Sequence, residues 1–310
     1  MRCGHCERSA VVDRPYRGDH VCETHLIASV EERARRAFHR QLPKFSAGTI
    51  AVALSGGKDS SAALHLTHRY FARRPTVRLV AISVDEGIPG YRDATLVAAR
   101  ALSERLGVEH RVVEAATRLG TTTDRVARSR PEAIPCSYCG VWRRRLLNDA
   151  AREAGADALV LGFNLDDLAQ TVLMNLTRGE VDRLGRMAPH RSRRPGLVPR
   201  IAPLADVPER EVFLYARLRG LPFDHGECPH AGRAARNVFR EVLWRLEESM
   251  PGTRQALLRT RERLLERGLA DDGSAPDRCL RCGAPATGTL CRTCVLLEAA
   301  HVPPLVPEVP

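Results

Sequence analysis

Ten cysteines carry most of the metal-binding potential of this 310-residue chain, and seven of them lie near its two ends, six in close cysteine pairs and one close to a histidine. The N-terminal set has the spacing Cys-x2-Cys-x15-Cys-x2-His, and the C-terminal set has the spacing Cys-x2-Cys-x8-Cys-x2-Cys. Two close pairs of this kind supply the four ligands of a tetrahedral zinc ion. We therefore predict one structural zinc site at each end, with His5 and His20 ranking below His25 as the histidine ligand. The predicted ligands are Cys3, Cys6, Cys22 and His25 at the first site, and Cys279, Cys282, Cys291 and Cys294 at the second.

The other three cysteines lie in the middle of the chain. Cys136 and Cys139 form an i, i+3 pair in a predicted loop, and Cys228 stands in a Glu-Cys-Pro-His sequence. They could be buried structural thiols, a zinc site completed by His225 or His230, or a functional cluster or redox pair. Zinc with four protein ligands leaves no reactive position, whereas an iron–sulfur cluster on three thiolates leaves one iron open. The spacing alone does not decide between zinc and iron.

A turn with two glycines, Ser55-Gly56-Gly57-Lys58-Asp59-Ser60, lies between a predicted strand and a predicted helix. Two glycines allow a tight turn that directs backbone N–H groups and the helix N-terminus at an anion. Lys58 adds a positive charge, and it is one of only two lysines among the 48 lysines and arginines. The Gly-x-x-x-x-Gly-Lys-Ser/Thr spacing of a Walker A loop is absent. The turn therefore predicts a phosphate-binding loop of another class.

Acidic residues follow two further predicted strands. Asp85 and Glu86 come after the strand at 77–84, and Asp166 and Asp167 come after the strand at 158–163. Ligands of a parallel sheet bind beyond the carboxyl ends of its strands, so these carboxylates should lie close to the glycine turn. We predict that Asp166 and Asp167 hold Mg²⁺ against phosphates; capping of the next helix is the alternative.

Strands and helices alternate between residues 28 and 270 and should position these groups. The predicted strands are 49–54, 77–84, 109–113 and 158–163, and the predicted helices are 59–72, 91–106, 140–154, 166–177, 208–219, 231–248 and 253–267. Repeated strand–helix units predict an α/β domain whose parallel sheet is covered by helices on both faces. The flanking units are an N-terminal zinc finger at 1–27 and, at 271–310, a zinc ribbon with a proline-rich tail.

A net charge of +11 and an isoelectric point near 9.6 favour a polyanionic partner, although an arginine-rich genome would also raise both values. A loop at 178–200 is especially basic and contains Arg183, Arg186, His190, Arg191, Arg193, Arg194 and Arg200. We expect this loop, the zinc modules and the C-terminal helices to hold nucleic-acid phosphates, with an affinity that falls steeply as salt rises.

Neither a membrane nor an export route is expected. No apolar run approaches the roughly 18 residues that span a bilayer, and the N-terminus carries no apolar signal segment. In the reducing cytoplasm, where we expect the protein, cysteines act more often as metal ligands than in disulfides.

Taken in order, these motifs resemble the PP-loop tRNA 2-thiolation enzymes with two zinc fingers, the TtuA-type tRNA 2-thiouridine synthetases and their archaeal and eukaryotic relatives. The resemblance covers nearly the whole chain and includes Gly90-Tyr91-Arg92-Asp93 and Gly162-x-Asn164. It implies a HUP-type, Rossmann-like PP-loop fold and a [4Fe-4S] cluster held by Cys136, Cys139 and Cys228. The implied ATP-binding residues are Ala53, Ser55, Gly56, Gly57, Lys58, Asp59, Ser60, Ile82, Arg143, Gly162 and Asp167.

The resemblance also implies sulfur delivery by a ubiquitin-like carrier protein with a C-terminal thiocarboxylate, and a homodimer. Two positions depart from the family pattern. Phe163 stands where members often carry histidine, and Arg143 stands where TtuA-type members place a catalytic lysine. A guanidinium stays charged, so Arg143 can bind phosphate but cannot act by losing a proton.

The reaction that we predict begins with attack of a uridine C2 oxygen on the α-phosphorus of ATP. Pyrophosphate leaves, and sulfur replaces the adenylated oxygen through the cluster. Lys58 and Arg143 would stabilise phosphate charge, and Asp59, Asp166 or Asp167 would orient metal or substrate. One alternative is a thiolase that carries a persulfide on Cys139 or Cys228 without a cluster. Another is a zinc-finger RNA-binding scaffold whose nucleotide fold is inactive.

Overall fold

The computed structural model describes residues 1–190, 194–269 and 277–302. The strands in these ranges are short except for three in the centre of the chain. They are β1 (Val12–Arg14), β2 (Asp19–Val21), β3 (Gly48–Ala53), β4 (Val77–Asp85), β5 (Glu109–Glu114), β6 (Ala158–Val160), β7 (Arg200–Ile201), β8 (Asp277–Arg278) and β9 (Pro285–Ala286).

Helices separate most of these strands. They are α1 (Glu23–Gln41), α2 (Lys58–Phe71), α3 (Arg92–Leu106), α4 (Ala115–Leu119), α5 (Thr123–Ser129), α6 (Pro135–Glu153), α7 (Leu165–Thr177), α8 (Asp182–Gly185), α9 (Glu209–Leu218), α10 (Arg236–Ser249), α11 (Thr253–Glu266) and α12 (Arg292–Ala299). In the described residues, no helix combines the length and the apolarity that crossing a bilayer requires.

The central sheet has five strands in the order β5-β4-β3-β6-β7, and every neighbouring pair is parallel. The predicted α/β class with a parallel sheet is therefore confirmed. The chain moves outward from β3 to β5 and then crosses back to β6, so the strand order reverses next to β3. Such a switch point opens a crevice at the carboxyl edge of the sheet, and the glycine turn follows β3 directly.

Successive side chains of β3 pack alternately into two apolar layers, one on each face of the sheet. Ile50 and Val52 pack into a core with α1, α2 and α9, whereas Ala51 packs on the other face with Trp142 and Leu146 of α6. The alternation follows from the two-residue period of a strand. Helices on both faces leave the strand ends as the place where polar groups can converge.

The terminal segments are joined to this core. β1 and β2 form an antiparallel pair, and α1 then carries His25 in its first turn before packing on the sheet. At the other end, Leu296 and Leu297 of α12 pack into the same apolar cluster as α6. Each terminal cysteine group thus lies next to a helix that is part of the core.

The start of α6 differs from the prediction. The helix begins at Pro135 rather than at 140, so Cys136 and Cys139 lie in its first turn and not in a loop. Proline suits the first helical position because its missing N–H would have no partner there and its φ angle is already helical. The i, i+3 spacing consequently places both thiols on one side of a helix.

Other differences are smaller. The strand predicted at 158–163 ends at Val160, and the helix predicted to begin at 231 begins at Arg236, after a short 3-10 turn. The predicted basic loop contains α8 and β7. Arg191, Arg193 and the proline-rich end of the chain lie outside the described residues.

Candidate functional site

The turn after β3 is closed by its own side chains. Ser55 donates its backbone N–H to Ser60 Oγ at 3.1 Å, and Ser60 Oγ donates to the carbonyl of Gly57 at 2.9 Å. Gly56 has φ +86°, and a Cβ atom there would lie 1.9 Å from the backbone oxygen of Thr95. Only glycine fits this position. The turn consequently leads the chain straight into α2, whose first N–H groups lack partners within the helix and can face an anion.

The other predicted nucleotide-lining residues meet at the same edge. Ala53 and Ile82 are paired neighbours at the ends of β3 and β4. A Cβ atom on Gly162 would lie 2.9 Å from the backbone nitrogen of Ser60, so the chain after β6 approaches the start of α2 at van der Waals distance. Phe163, in the position where relatives often have histidine, packs between two apolar clusters. The structure thus brings the predicted lining residues of three strands together.

Lys58 is held by two carboxylates. Its Nζ lies 2.9 Å from Asp59 Oδ2 and 2.7 Å from Glu209 Oε1. Burial opposes the charge, but Asp59 and Glu209 outweigh it and raise the pKa of Lys58 above its ordinary value. The ammonium group therefore remains charged next to the turn.

Asp59 and Asp167 form the acidic part of the site. Asn164 caps α7 and donates its side-chain N–H to Asp59 Oδ1 at 3.0 Å, while Arg236 lies 3.2 Å from Asp167 Oδ1. Burial and the charge of Asp59 raise the pKa of Asp167 to about 6, even though Arg236 lowers it. Two carboxylates that repel each other in this way provide a place for a divalent cation.

Asp166 has a different environment. Its Oδ1 pairs with Arg254 Nε at 2.8 Å, and its Oδ2 accepts the backbone N–H of Glu209 at 2.7 Å. Both oxygens are consequently engaged with α9 and α11. The side chain of Asp167 points away from that of Asp166, because adjacent residues on a helix point in different directions. Asn164 instead connects Asp167 to Asp59.

The three central cysteines lie around the first turn of α6. Arg143 Nη2 donates to Cys139 Sγ at 3.2 Å, and Cys136 Sγ contacts the carbonyl of His230 at 3.6 Å, two residues beyond Cys228. Burial raises the pKa of the Cys139 thiol against the lowering effect of Arg143, and the charge of Cys228 raises it further. The three thiols therefore share one neighbourhood.

Their arrangement is unlike that of a site for one ion. In the part of the chain that the structure describes, metal-ligand groups whose donor atoms all lie within 4.8 Å of one another occur twice, and neither contains Cys136, Cys139 or Cys228. One zinc ion needs its ligands around a single point, whereas each thiolate of an iron–sulfur cubane binds a different iron. The donor set of three separated thiols fits a cluster.

Glu86 joins the cysteines to the glycine turn. Its Oε1 lies 2.5 Å from Arg143 Nε, and its Oε2 pairs at 2.9 Å with Arg92 Nε. Arg92 Nη1 in turn donates to the carbonyl of Ser55 at 3.0 Å. A continuous path of charged groups thus runs from Cys139 to the turn after β3. The sequence placed Glu86 near the glycine turn without a defined role, and it quoted Arg92 only as part of a family motif.

A second connection comes from the segment before Cys228. Asp224 donates its backbone N–H to the carbonyl of Gly56 at 2.9 Å, which aligns this segment beside the turn. The predicted phosphate loop and the three cysteines therefore belong to one site at the carboxyl edge of the sheet.

The two terminal groups are the close clusters of metal-ligand atoms. In the first, His25 Nδ1 lies 3.3 Å from Cys3 Sγ and from Cys22 Sγ, whereas His20 pairs with Asp13. In the second, all four cysteine sulfurs lie within the same 4.8 Å limit. The structure brings together the residues predicted for both tetrahedral sites.

Known proteins share this chain's sequence and fold. The family model described as "PP-loop domain" matches residues 29–247. The "tRNA 2-thiolation protein NcsA" of Haloferax volcanii is 40% identical over 96% of this chain and 99% of its own length. "Cytoplasmic tRNA 2-thiolation protein 1" of Bos taurus is 39% identical over 97% of this chain and 88% of its own.

A solved structure agrees. The U34-tRNA thiolase NcsA from Methanococcus maripaludis, with its [4Fe-4S] cluster, is 31% identical to this chain and superposes with a TM-score of 0.86. The match covers 100% of this chain and 99% of that one. With the PP-loop turn, the parallel sheet and full-length relatives in agreement, this chain belongs to the PP-loop family of tRNA 2-thiolation proteins.

Proposed function

We propose that this protein is an ATP-dependent tRNA sulfurtransferase that adenylates the C2 oxygen of a uridine and replaces that oxygen with sulfur. The observation that carries the proposal is the path from Cys139 through Arg143, Glu86 and Arg92 to Ser55. It supports the binding of nucleotide phosphates and the sulfur chemistry at the same edge of the sheet. The thiolase from M. maripaludis points to uridine 34 as the target.

In the first step, ATP phosphates occupy the turn at 55–60. The C2 oxygen attacks the α-phosphorus, the bond to the β-phosphate bridging oxygen breaks, and pyrophosphate leaves. Loop N–H groups and Lys58 stabilise the charge on the phosphates. Asp59 and Asp167 would hold Mg²⁺ beside the turn, because Asn164 contacts both carboxylates, whereas Asp166 is directed towards α9 and α11.

In the second step, sulfide attacks C2, and AMP leaves with the original oxygen. Arg143 lies between Cys139 and Glu86 and stays protonated, because Glu86 and the Cys139 sulfur outweigh the effect of burial and raise its pKa. It therefore stabilises negative charge on the departing AMP and does not act as a base.

Cys136, Cys139 and Cys228 would hold the [4Fe-4S] cluster. Since the protein supplies three thiolates, the cluster would offer an iron with an open coordination position and Lewis-acid character. Zinc would occupy each terminal group, where four ligand atoms lie close together. These two ions would stabilise the modules at 1–27 and 271–310 on either side of the catalytic unit at 28–270.

The resemblance and the names of the relatives suggest the remaining partners. We propose that the protein acts in the cytoplasm on tRNA, receives sulfur from a ubiquitin-like carrier with a C-terminal thiocarboxylate, and forms a homodimer. The cytoplasmic setting follows the name of the bovine relative.

The proposal is tested by mass spectrometry of tRNA nucleosides from cells that lack the gene. Loss of 2-thiouridine derivatives, restored by the wild-type gene but not by Lys58→Ala, is the expected result. Restoration by Lys58→Ala would instead indicate an RNA-binding scaffold. Anaerobic purification separates the two enzyme mechanisms, because about four irons per chain indicate the cluster and an active colourless protein indicates a persulfide.

A further inference from the structure

A group of basic side chains lies on α6, the helix of the cysteine site, and on the basic loop that follows later in the chain. Arg144 follows Arg143 on α6, and its guanidinium reaches back over Gly140, where a Cβ atom would lie 3.7 Å from Arg144 Nη1. Arg200 begins β7, and Arg194 precedes it in the basic loop. We call Arg144, Arg194 and Arg200 the arginine triad.

The triad lacks acidic partners. Among the residues that the structure describes, none of the ion pairs includes Arg144, Arg194 or Arg200. By contrast, the neighbouring Arg143 and Arg236 pair with Glu86 and Asp167 respectively. Arg194 Nε is also buried without a hydrogen-bond partner. Guanidinium groups that lie together repel each other unless an anion compensates their charge.

The packing of α6 against the basic loop brings the triad together. Asn148, one turn after Arg144 on α6, donates to the carbonyl of Gly196 at 3.1 Å and accepts the backbone N–H of Val198 at 3.0 Å, and both partners lie between Arg194 and Arg200. Burial and the charges of Arg144 and Arg194 together lower the pKa of Arg200 to about 10. The fold maintains this repulsion instead of relieving it with a carboxylate.

His190 fixes the position of Arg200. Arg200 Nε donates to His190 Nε2 at 3.0 Å, and Arg200 Nη2 donates to the carbonyl of Arg186 at 3.2 Å. Burial and the charges of Arg200 and Arg194 lower the pKa of His190 to about 3, so its ring is neutral and accepts this hydrogen bond. The guanidinium is consequently oriented by neutral groups, and its charge is free for a ligand.

We propose that the arginine triad binds a backbone phosphate of the RNA substrate next to the target uridine. This assignment rests on the function proposed above and gives it a position: the phosphate would lie on the α6–β7 side of the cysteines. Planar guanidinium groups are suited to bidentate binding of phosphate oxygens. ATP phosphates already have a predicted site of their own, the turn after β3.

The test uses Arg144→Gln and Arg200→Gln, with Arg152→Gln as the matched control, because Arg152 is an exposed arginine on the same helix. tRNA dissociation constants are measured over a series of salt concentrations, together with the ATP dissociation constant and the thermal unfolding temperature. Each triad variant should reduce the slope of log K against log salt by about 1 and leave ATP binding unchanged. Arg152→Gln should match the wild type.

Two outcomes would overturn this assignment but not the proposed function. In the first, both triad variants show the wild-type salt dependence of tRNA binding. In the second, they lose ATP affinity with unchanged tRNA binding, which would assign the triad to a nucleotide phosphate. Failure of the wild-type protein to bind tRNA would overturn the proposed function together with the assignment. If Arg200→Gln unfolds, Arg144→Gln decides, because Arg144 is exposed and its replacement removes no hydrogen bond of the fold.

Discussion

At the scale of single residues, the site depends on charged side chains that serve two neighbours at once. Glu86 is almost completely buried and pairs with both Arg92 and Arg143, while Lys58 pairs with both Asp59 and Glu209. Each of these groups connects segments that are distant in the chain. Replacing one of these residues should therefore weaken the contact between the two segments that it joins.

Glu86→Gln should lower the free energy of unfolding by about 3 kcal/mol, because it leaves the buried guanidinium of Arg92 without its charged partner. Urea denaturation measures this change. The control is Glu109→Gln, since Glu109 pairs with Arg78 and Arg111 at exposed positions and should cost no more than about 1 kcal/mol. Equal effects of the two variants would contradict the structural role of Glu86.

Glu209→Gln should strengthen ATP binding. The substitution frees Lys58 from a carboxylate that competes with phosphate, and for a partly exposed pair the gain is up to about fivefold in the dissociation constant. Isothermal titration with ATP measures it. Glu241→Gln is the control, because Glu241 pairs with Arg245 on the surface of α10. Weaker ATP binding by Glu209→Gln would mean that Glu209 helps to hold the nucleotide or its metal.

At the scale of elements, sequence patterns predicted the strands and helices of the sheet closely, since their apolar residues recur with clear periods. The long helix α1 was missed even though Leu26, Val30, Ala34 and Phe38 repeat at its buried face. β7 contains only two residues and exists through its pairing with β6, so no local pattern could reveal it. The contact of Arg143 with Glu86 joins residues 57 positions apart and depends on the packing of α6 against the sheet.

The packing of α2 on α9 should make stability depend on pH. His65 Nδ1 lies 2.9 Å from the hydroxyl of the buried Tyr215, and burial, aided by Arg69 and Arg219, lowers the pKa of His65 to about 4. The unfolded chain then takes up the proton first, so the contribution of His65 to stability is lost as the pH falls from about 6.5 to about 4.

His65→Gln should remove this dependence, because glutamine offers a hydrogen-bond acceptor without a titrating group. The loss of stability between pH 7 and pH 4, measured by urea denaturation, should be smaller in the variant than in the wild type by up to about 3 kcal/mol. Identical pH profiles of the two proteins would contradict the prediction, because they would show that folding does not lower the pKa of His65.

At the scale of the whole molecule, the two terminal modules contact different parts of the catalytic unit. The N-terminal module joins α1 and α9, where Arg14 and Tyr16 contact the buried Glu211. The C-terminal module lies on α6, where Arg145 Nη1 donates to Cys282 Sγ at 3.3 Å and also pairs with Asp149. Because α6 carries Cys136, Cys139 and Arg143, the C-terminal module is attached to the helix of the cysteine site, whereas the N-terminal contacts named here are with α1 and α9.

Disruption of the C-terminal module should therefore affect the cysteine site, whereas disruption of the N-terminal module should not. Cys6→Ser and Cys282→Ser should each lower the zinc content from about two ions per chain to about one, as measured by elemental analysis. Only Cys282→Ser should also reduce the iron retained after anaerobic reconstitution, since loss of the second zinc loosens α12 and the Arg145 contact and lets the first turn of α6 shift. Thermal unfolding controls for global damage. Equal iron content in the two variants, each folded and each lacking one zinc, would show that the C-terminal module does not support the cysteine site.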